Sequence, residues 1–337
     1  MIFVVGMNTR NDIVVLGNIS KNRLNYYVWK DAIDEDIITY IPNLYKNNLL
    51  KKIHTILTSG KFEDNIPFHK LILELFNFFF KRFYINSIPN TAKLVIFSHI
   101  SLVSHGHILK DLCNKGVKSV LFLFDSIQTL DPSVQKQIKQ QMHYFSAVYS
   151  FDNSDCKNYG FYKWEQIYSP LSLVEGKYRY DVYFAGRDKG RAKELLDFAR
   201  FASEKGLCCC FRIPDLNEHY KKEFMEVLGD NFKEELVSYD KVLEEINRTR
   251  CILEILQHNQ FGISWRAVEA FFYNKKLITT FSDIKHNKYF NSKYIHIYSE
   301  LKDIDYNWIM NYCFINYNYK GDYSPIQFIQ EVKTKFL

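Results

Sequence analysis

Six consecutive residues, Gly186-Arg187-Asp188-Lys189-Gly190-Arg191, combine two glycines with three cations. Glycine lets a backbone approach a ligand closely, and guanidinium and ammonium groups neutralise phosphate oxygens. Such a stretch suits a diphosphate that must be stabilised as it leaves a reacting carbon. A second stretch, Gln260-Phe261-Gly262-Ile263-Ser264-Trp265-Arg266-Ala267-Val268-Glu269, sets an arginine and a carboxylate three positions apart. On a helix that spacing is one face, so Arg266 and Glu269 are expected to project together. A carboxylate so placed can accept both hydroxyls of a ribose, as an acidic residue does in dinucleotide folds. Gln260 and Gly262 would form the loop that admits the ligand. Each stretch also has a plainer reading. The first is a solvated turn with a glycine at each end. The second is a surface ion pair of little worth on a helix whose Ala267, Val268, Phe271 and Phe272 are core.

Both stretches fall where a strand gives way to a helix. Residues 180–185 (YDVYFA) read as a strand and 191–205 as a helix, with 186–190 the loop between them. Ser264 is a natural N-cap for a helix over 265–272, after a strand at 251–256. In open α/β sheets ligands gather at such junctions, where helix N-termini offer unpaired N–H groups and a partial positive charge. Further strands are expected at 207–213, 276–280 and 294–298, with a helix at 240–249. In the first half, 93–98 (KLVIFS), 118–124 (KSVLFLF), 146–150 and 165–168 read as strands. Residues 108–115, closed by Gly116, and 132–144 read as helices, while 20–60 mixes both types.

The segment 169–176 (SPLSLVEG) is loop-like, and a fresh βα series follows it. The fold class expected is therefore α/β, with two Rossmann-like lobes facing a cleft. The boundaries are 1–170, 177–320 and a terminal segment 321–337 whose residues from 325 onward pattern as an amphipathic helix.

The YDVYFAGRDKGR and CILEILQHNQFGISWRAVEAFFYNKKLITT segments, within 180–280, resemble the C-terminal domain of GT-B glycosyltransferases from bacterial capsule, lipopolysaccharide and O-antigen clusters. The resemblance covers about a third of the chain. It implies that Gly186, Arg187, Lys189 and Arg191 contact the donor phosphates, and that Glu269 holds the ribose behind Gln260, Gly262, Ser264 and Arg266. It departs from the EX7E arrangement of such enzymes, since Glu254 and Glu269 stand fifteen positions apart. That leaves Glu254 as a strand-end carboxylate near the donor sugar. In the N-terminal half the resemblance is one of layout, and it implies a catalytic base after a strand. Asp125 and His99 are the first choices, with Asp152 a third; Asp125, before Ser126, also reads as a turn residue.

The remaining composition narrows the partners. Over 337 residues, 47% hydrophobic and 24% charged, the chain is globular, and a net charge of +6 suits a phosphate-bearing substrate or an anionic membrane face. A dense Lys/Arg run with interleaved aromatics is missing, which argues against nucleic acid. Neither a GxGxxG fingerprint nor a Walker loop occurs, and the first strand ends in Gly6-Met7-Asn8-Thr9-Arg10, against dinucleotide and ATPase readings. No Asp-x-Asp sequence reads as a dyad of the type that chelates a metal–nucleotide, and His105 and His107, two apart, do not share a helix face, so metal independence is expected. Seven cysteines, an odd number without a CxxC pair, read as buried reduced thiols of a cytoplasmic protein.

The N-terminus lacks a leader pattern, and the apolar run 71–85 is too short and too charged to span a bilayer. Residues 68–84 (FHKLILELFNFFFKRFY) read as a core helix, or, with Lys70, Lys81 and Arg82, as a contact with the cytoplasmic leaflet.

The function expected is transfer of a sugar from a nucleotide-diphosphate donor to a hydroxyl of a lipid-linked surface-glycan precursor, by a cytoplasmic or peripheral enzyme. Transfer of a polyol phosphate or other group, and a non-catalytic two-lobed binding protein, are the alternatives.

Overall fold

Central strands buried along almost their whole length alternate with helices, as a parallel sheet covered on both faces requires, while the edge strands are more exposed. A computed structural model describes residues 12–17, 24–42, 48–58, 68–84, 88–98, 106–171 and 176–337. Two units emerge, and the chain passes between them more than once. One takes 1–150, 159–164 and 325–337, the other 151–158 and 165–324.

The first unit holds β1 (Ile13–Leu16), β2 (Thr39–Ile41), β3 (Leu94–Phe97), β4 (Lys118–Leu123), β5 (Ala147–Ser150) and β6 (Tyr162–Lys163). They form a parallel sheet in the order β2-β1-β3-β4-β5-β6. The C-terminal helix Pro325–Phe336 belongs to this unit although it comes last in sequence. Its buried Phe328 lies 5.1 Å from the rings of both Phe122 and Tyr149 and 5.5 Å from that of Trp164. Apolar surface, rather than chain order, decides where an amphipathic helix docks.

The second unit holds β7 (Tyr180–Ala185), β8 (Cys209–Arg212), β9 (Phe232–Lys233), β10 (Thr249–Glu254), β11 (Lys276–Thr279) and β12 (Ile295–Ile297). The order is β12-β11-β10-β7-β8-β9, again parallel. Strand order reverses between β7 and β10, where Ile252 stands opposite Tyr183. The loops that follow these two strands therefore diverge from a single crevice, the topological switch point of a Rossmann-like sheet.

The expected strand at 165–168 does not form. Tyr162–Lys163 pairs with β5 instead, and residues 164–170 are irregular. Ile167 and Tyr168 are buried, but their main-chain groups bond outside any ladder: the Ile167 carbonyl accepts from the Trp265 indole at 3.1 Å, and the Tyr168 N–H donates to the Tyr323 carbonyl at 2.8 Å. The helix His69–Tyr84 is not a core helix either. Phe76 is buried, but Phe68, Leu71, Ile72, Leu75, Phe78 and Phe79 are exposed. All seven cysteines are free thiols; Cys209, Cys210 and Cys251 are buried, whereas Cys113, within the helix Gly106–Asn114, and Cys208, just before β8, are exposed. The expected strand at 1–6 and His105 lie outside the described residues. No helix among the described residues is long and apolar enough to cross a membrane.

Candidate functional site

The site grows from the end of β7. Gly186 has φ 152°, and a Cβ there would lie 1.9 Å from a guanidinium nitrogen of Arg266. Only glycine satisfies both the backbone angle and the space. Lys189 (φ 50°) and Gly190 (φ 83°) then turn the chain back, and Arg191 occupies the N-cap position of the helix Ala192–Glu204. The turn thus carries Arg191 inward. Its side chain is 6% exposed and donates to the carbonyls of Ile255 and, at 3.1 Å, of Arg187.

Arg266 reaches the same place from β10. Ser264 caps the helix Trp265–Phe272 by accepting from the Arg266 N–H at 3.2 Å. The Arg266 side chain then runs back to donate to the Ala185 carbonyl at the end of β7. Phe184 forms the platform beneath both cations: the Arg266 guanidinium carbon is 4.4 Å from its ring centre and that of Arg191 is 5.3 Å away. The Nε–H groups of both arginines are buried without a hydrogen-bond partner among the described residues. Burial, then the neighbouring Arg266 charge, pulls Arg191 down to about 9, and burial likewise pulls Arg266 downward. Two like charges held close in a low dielectric repel, and a bound anion relieves that repulsion.

Glu254 anchors this geometry. One carboxylate oxygen accepts from the Ser264 N–H at 2.9 Å and hydroxyl at 2.6 Å, and the other from the Thr279 hydroxyl at 2.6 Å. Fully buried, it fixes the start of the Arg266 helix. One of its oxygens thus holds the helix cap and the other the neighbouring strand β11.

Glu269 lies near enough to Arg266 to feel its charge, and a tyrosine hydroxyl also holds it. It is 5% exposed, and its Oε1 accepts from the Tyr239 hydroxyl. The Tyr168 hydroxyl lies 3.0 Å beyond that of Tyr239. Burial pushes Glu269 up to about 7, against the downward pull of the Tyr239 hydrogen bond and the Arg266 charge. Tyr239 and Tyr168 are pushed well above the usual phenol range by burial, so both stay neutral.

The 255–264 loop is tied down from both sides. Gln260 is buried and donates to the Gly262 carbonyl at 3.1 Å. A Cβ on Gly262 would meet the Phe151 carbonyl oxygen at 2.3 Å. Asp152, the third candidate base, accepts from the Phe261 N–H at 2.6 Å and from the Ser154 N–H at 2.8 Å. It is fully buried, tethering this loop and capping the helix Asn153–Tyr159.

No family model matches the chain, and no curated protein is similar to it in sequence. Solved structures similar to it include sucrose-phosphate synthase from Thermosynechococcus elongatus, at 8% identity and a TM-score of 0.55, covering 96% of this chain and 99% of that one. That likeness spans both units. The chain has the GT-B fold. Weaker likenesses are to HepE of Anabaena in complex with UDP and glucose (10% identity, 80% of each chain, TM-score 0.46) and to T4 phage BGT in complex with UDP-glucose (13%, 84% and 85%, 0.43).

Within the GT-B fold, the unit containing 165–324 gathers Gly186, Arg191, Gln260, Gly262, Ser264, Arg266 and Glu269 around the junctions after β7 and β10. Arg187 and Lys189 are exposed, and Arg187 forms an ion pair with Asp215 at 3.2 Å. In the other unit Asp125 is half-buried just beyond β4, next to the turn Ile127–Thr129. His99 lies outside the described residues. Sequence reasoning missed Phe184 and Tyr239. The alternation in YDVYFA marks Phe184 as buried, and Ser238 marks Tyr239 as the first residue of the helix Tyr239–Asn247. Neither signal says that a cation or a carboxylate lands there.

Proposed function

We propose that this protein is a glycosyltransferase that moves a sugar from a nucleotide-diphosphate donor to a hydroxyl of a glycan precursor. One observation carries the reading: Arg191 and Arg266 meet at the switch point of the second sheet with buried, unpartnered N–H groups. A diphosphate supplies the acceptors and the negative charge that such a pair lacks. Gly186 gives the backbone its close approach, and the N-terminus of the helix Ala192–Glu204 adds a favourable dipole.

In this proposal the donor's ribose hydroxyls bond to Glu269 once it is ionised. The oxygen that holds Tyr239 keeps the carboxylate in place while its other lone pairs accept. Arginine charge, rather than a metal ion, offsets the leaving diphosphate, with Lys189 and Arg187 drawing the donor in from solvent. Asp125 or His99 takes the proton of the acceptor hydroxyl as the glycosidic C–O bond forms and the bond from the anomeric carbon to the diphosphate breaks. A lipid-linked precursor is the acceptor class we favour.

Calorimetric titration of UDP, GDP and CDP against the wild type and Arg266→Lys tests the donor half. One nucleotide is expected to bind the wild type and to lose about tenfold or more in affinity with Arg266→Lys, because an ammonium cannot reproduce a stacked planar fork. Absence of binding by all three nucleotides overturns the proposal. Mass analysis of the product separates sugar transfer from phosphate-group transfer, which adds a phosphorus atom to the acceptor.

A further inference from the structure

The helices Asn48–Thr58 and His69–Tyr84 supply none of the donor-site residues, yet they concentrate exposed apolar side chains among the described residues. Each turns one apolar stripe inward: Leu57 and Phe76 are buried, with Leu50 and Leu73 packed against them. Each also carries a second stripe that faces out. On the first helix Leu49, Ile53 and Ile56, spaced by four and three, are 66%, 36% and 47% exposed. On the second, Leu71, Ile72, Leu75, Phe78 and Phe79 repeat at helical spacing behind Phe68, and Phe68 and Phe78 are each 80% exposed. These nine side chains are half of the eighteen large exposed hydrophobics among the described residues. Scattered exposed apolar side chains are ordinary, but a concentration of this kind marks a binding surface.

Charge selects the occupant. The two helices carry Lys51, Lys52, Lys70, Lys81 and Arg82 against a single acidic residue, Glu74. Phenylalanine and leucine stripes on helices with a strong cationic excess suit the boundary between acyl chains and anionic headgroups. At 16 residues the longer helix spans roughly 24 Å, too short and too charged to cross a bilayer, so a membrane contact through it would lie in the interface plane. We propose that this helix pair docks the protein on the surface of an anionic phospholipid bilayer. The proposal stands apart from the donor reading, since it uses none of the residues at the ends of β7 and β10.

Flotation of the full chain with two kinds of vesicle tests it: phosphatidylcholine alone, and phosphatidylcholine with equimolar phosphatidylglycerol. The wild type is expected to float with the mixed vesicles and to be released by high salt. The double variant Phe78→Ser, Phe79→Ser is expected to lose about tenfold or more of that partitioning. Both side chains are already in water, so its circular dichroism and Tm should match the wild type. Should that variant misfold, Phe78→Trp gives a second measurement: its emission shifts to the blue on adding mixed vesicles if the stripe inserts.

The proposal is overturned if the wild type does not float with the mixed vesicles, or if the folded double variant floats equally well. An unshifted Phe78→Trp emission also overturns it. So does a wild-type dimer that becomes a monomer in the double variant, because the stripe would then seat a second copy of the chain. Nucleotide binding has no bearing on any of these outcomes.

Discussion

Arg191 and Arg266 are 75 positions apart in sequence, yet their guanidinium carbons stand 5.3 and 4.4 Å from the ring centre of the same residue, Phe184. Their hydrogen bonds go to main-chain carbonyls, and the Nε–H of each has no partner among the described residues. Two cations held this way, one buried and one half-buried, cost stability, and an anion between them repays it. A nucleotide diphosphate at about a hundred times its Kd is therefore expected to add about 2.7 kcal/mol to stability. Thermal unfolding with and without nucleotide measures this, and an unchanged Tm with a nucleotide that calorimetry shows to bind would count against the arginine pair as the anion site.

Gly186→Ala tests the backbone half of the same site. The new methyl occupies the position of the Arg266 guanidinium, 1.9 Å away, at a φ that side chains rarely adopt. The expected result is a loss of about 1–3 kcal/mol of stability together with loss of nucleotide affinity. Unchanged affinity would show that Arg266 can move without consequence.

Glu269 gives the site a pH dependence. Its folded pKa of about 7 lies above its ordinary 4.5. The folded state thus holds a proton that the unfolded chain has released, and stability falls as pH rises across that window. Nucleotide affinity is expected to run the other way, rising as pH passes 7 and the carboxylate ionises to accept ribose hydroxyls. Glu269→Gln should flatten the stability slope and remove that rise. Denaturant titrations and calorimetry from pH 5 to about 8 read both effects; a Glu269→Gln profile that follows the wild type sinks the assignment.

Gly262→Ala separates packing from binding. Its methyl meets main-chain oxygen at Phe151, which cannot rotate away as a side chain would. A destabilisation of about 1–3 kcal/mol is expected, visible as a lower urea midpoint. A neutral result would mean that the 255–264 loop shifts freely.

Asp125→Asn addresses the reaction itself. If Asp125 is the base, kcat is expected to fall by about 100-fold or more while donor binding is unchanged. An unaltered kcat moves the role to His99. The same assay in EDTA should leave wild-type activity intact, because arginines carry the charge in this mechanism.

Much of this protein was legible in the sequence because its signals are local. Buried parallel strands announce themselves as continuous apolar runs, and β3, β4, β7 and β11 fall within a residue or two of where KLVIFS, KSVLFLF, YDVYFA and KLITT place them. Glycine and N-cap chemistry is equally local, so the turn at Gly186 and the helix start at Ser264 could be read directly. Other features depend on partners far along the chain. The outward face of His69–Tyr84 could not be told from a core face, since apolar residues look alike until a neighbouring element covers them or fails to.

Tertiary structure alone decided which residues of the two stretches meet. The sequence determined that 186–191 and 260–269 each join a strand to a helix, because backbone preference and capping are written in the residues themselves. It pointed to Arg187, Lys189 and Arg191 as a group of cations, and to Arg266 with Glu269 as a pair. The sheet order, by setting β7 beside β10, added partners from elsewhere to both groups. Arg191 and Arg266 come together over Phe184, Arg187 turns out to Asp215, and Glu269 turns in to Tyr239. Side-chain direction follows from what packs around each element, and strand order, which periodicity does not encode, sets that packing.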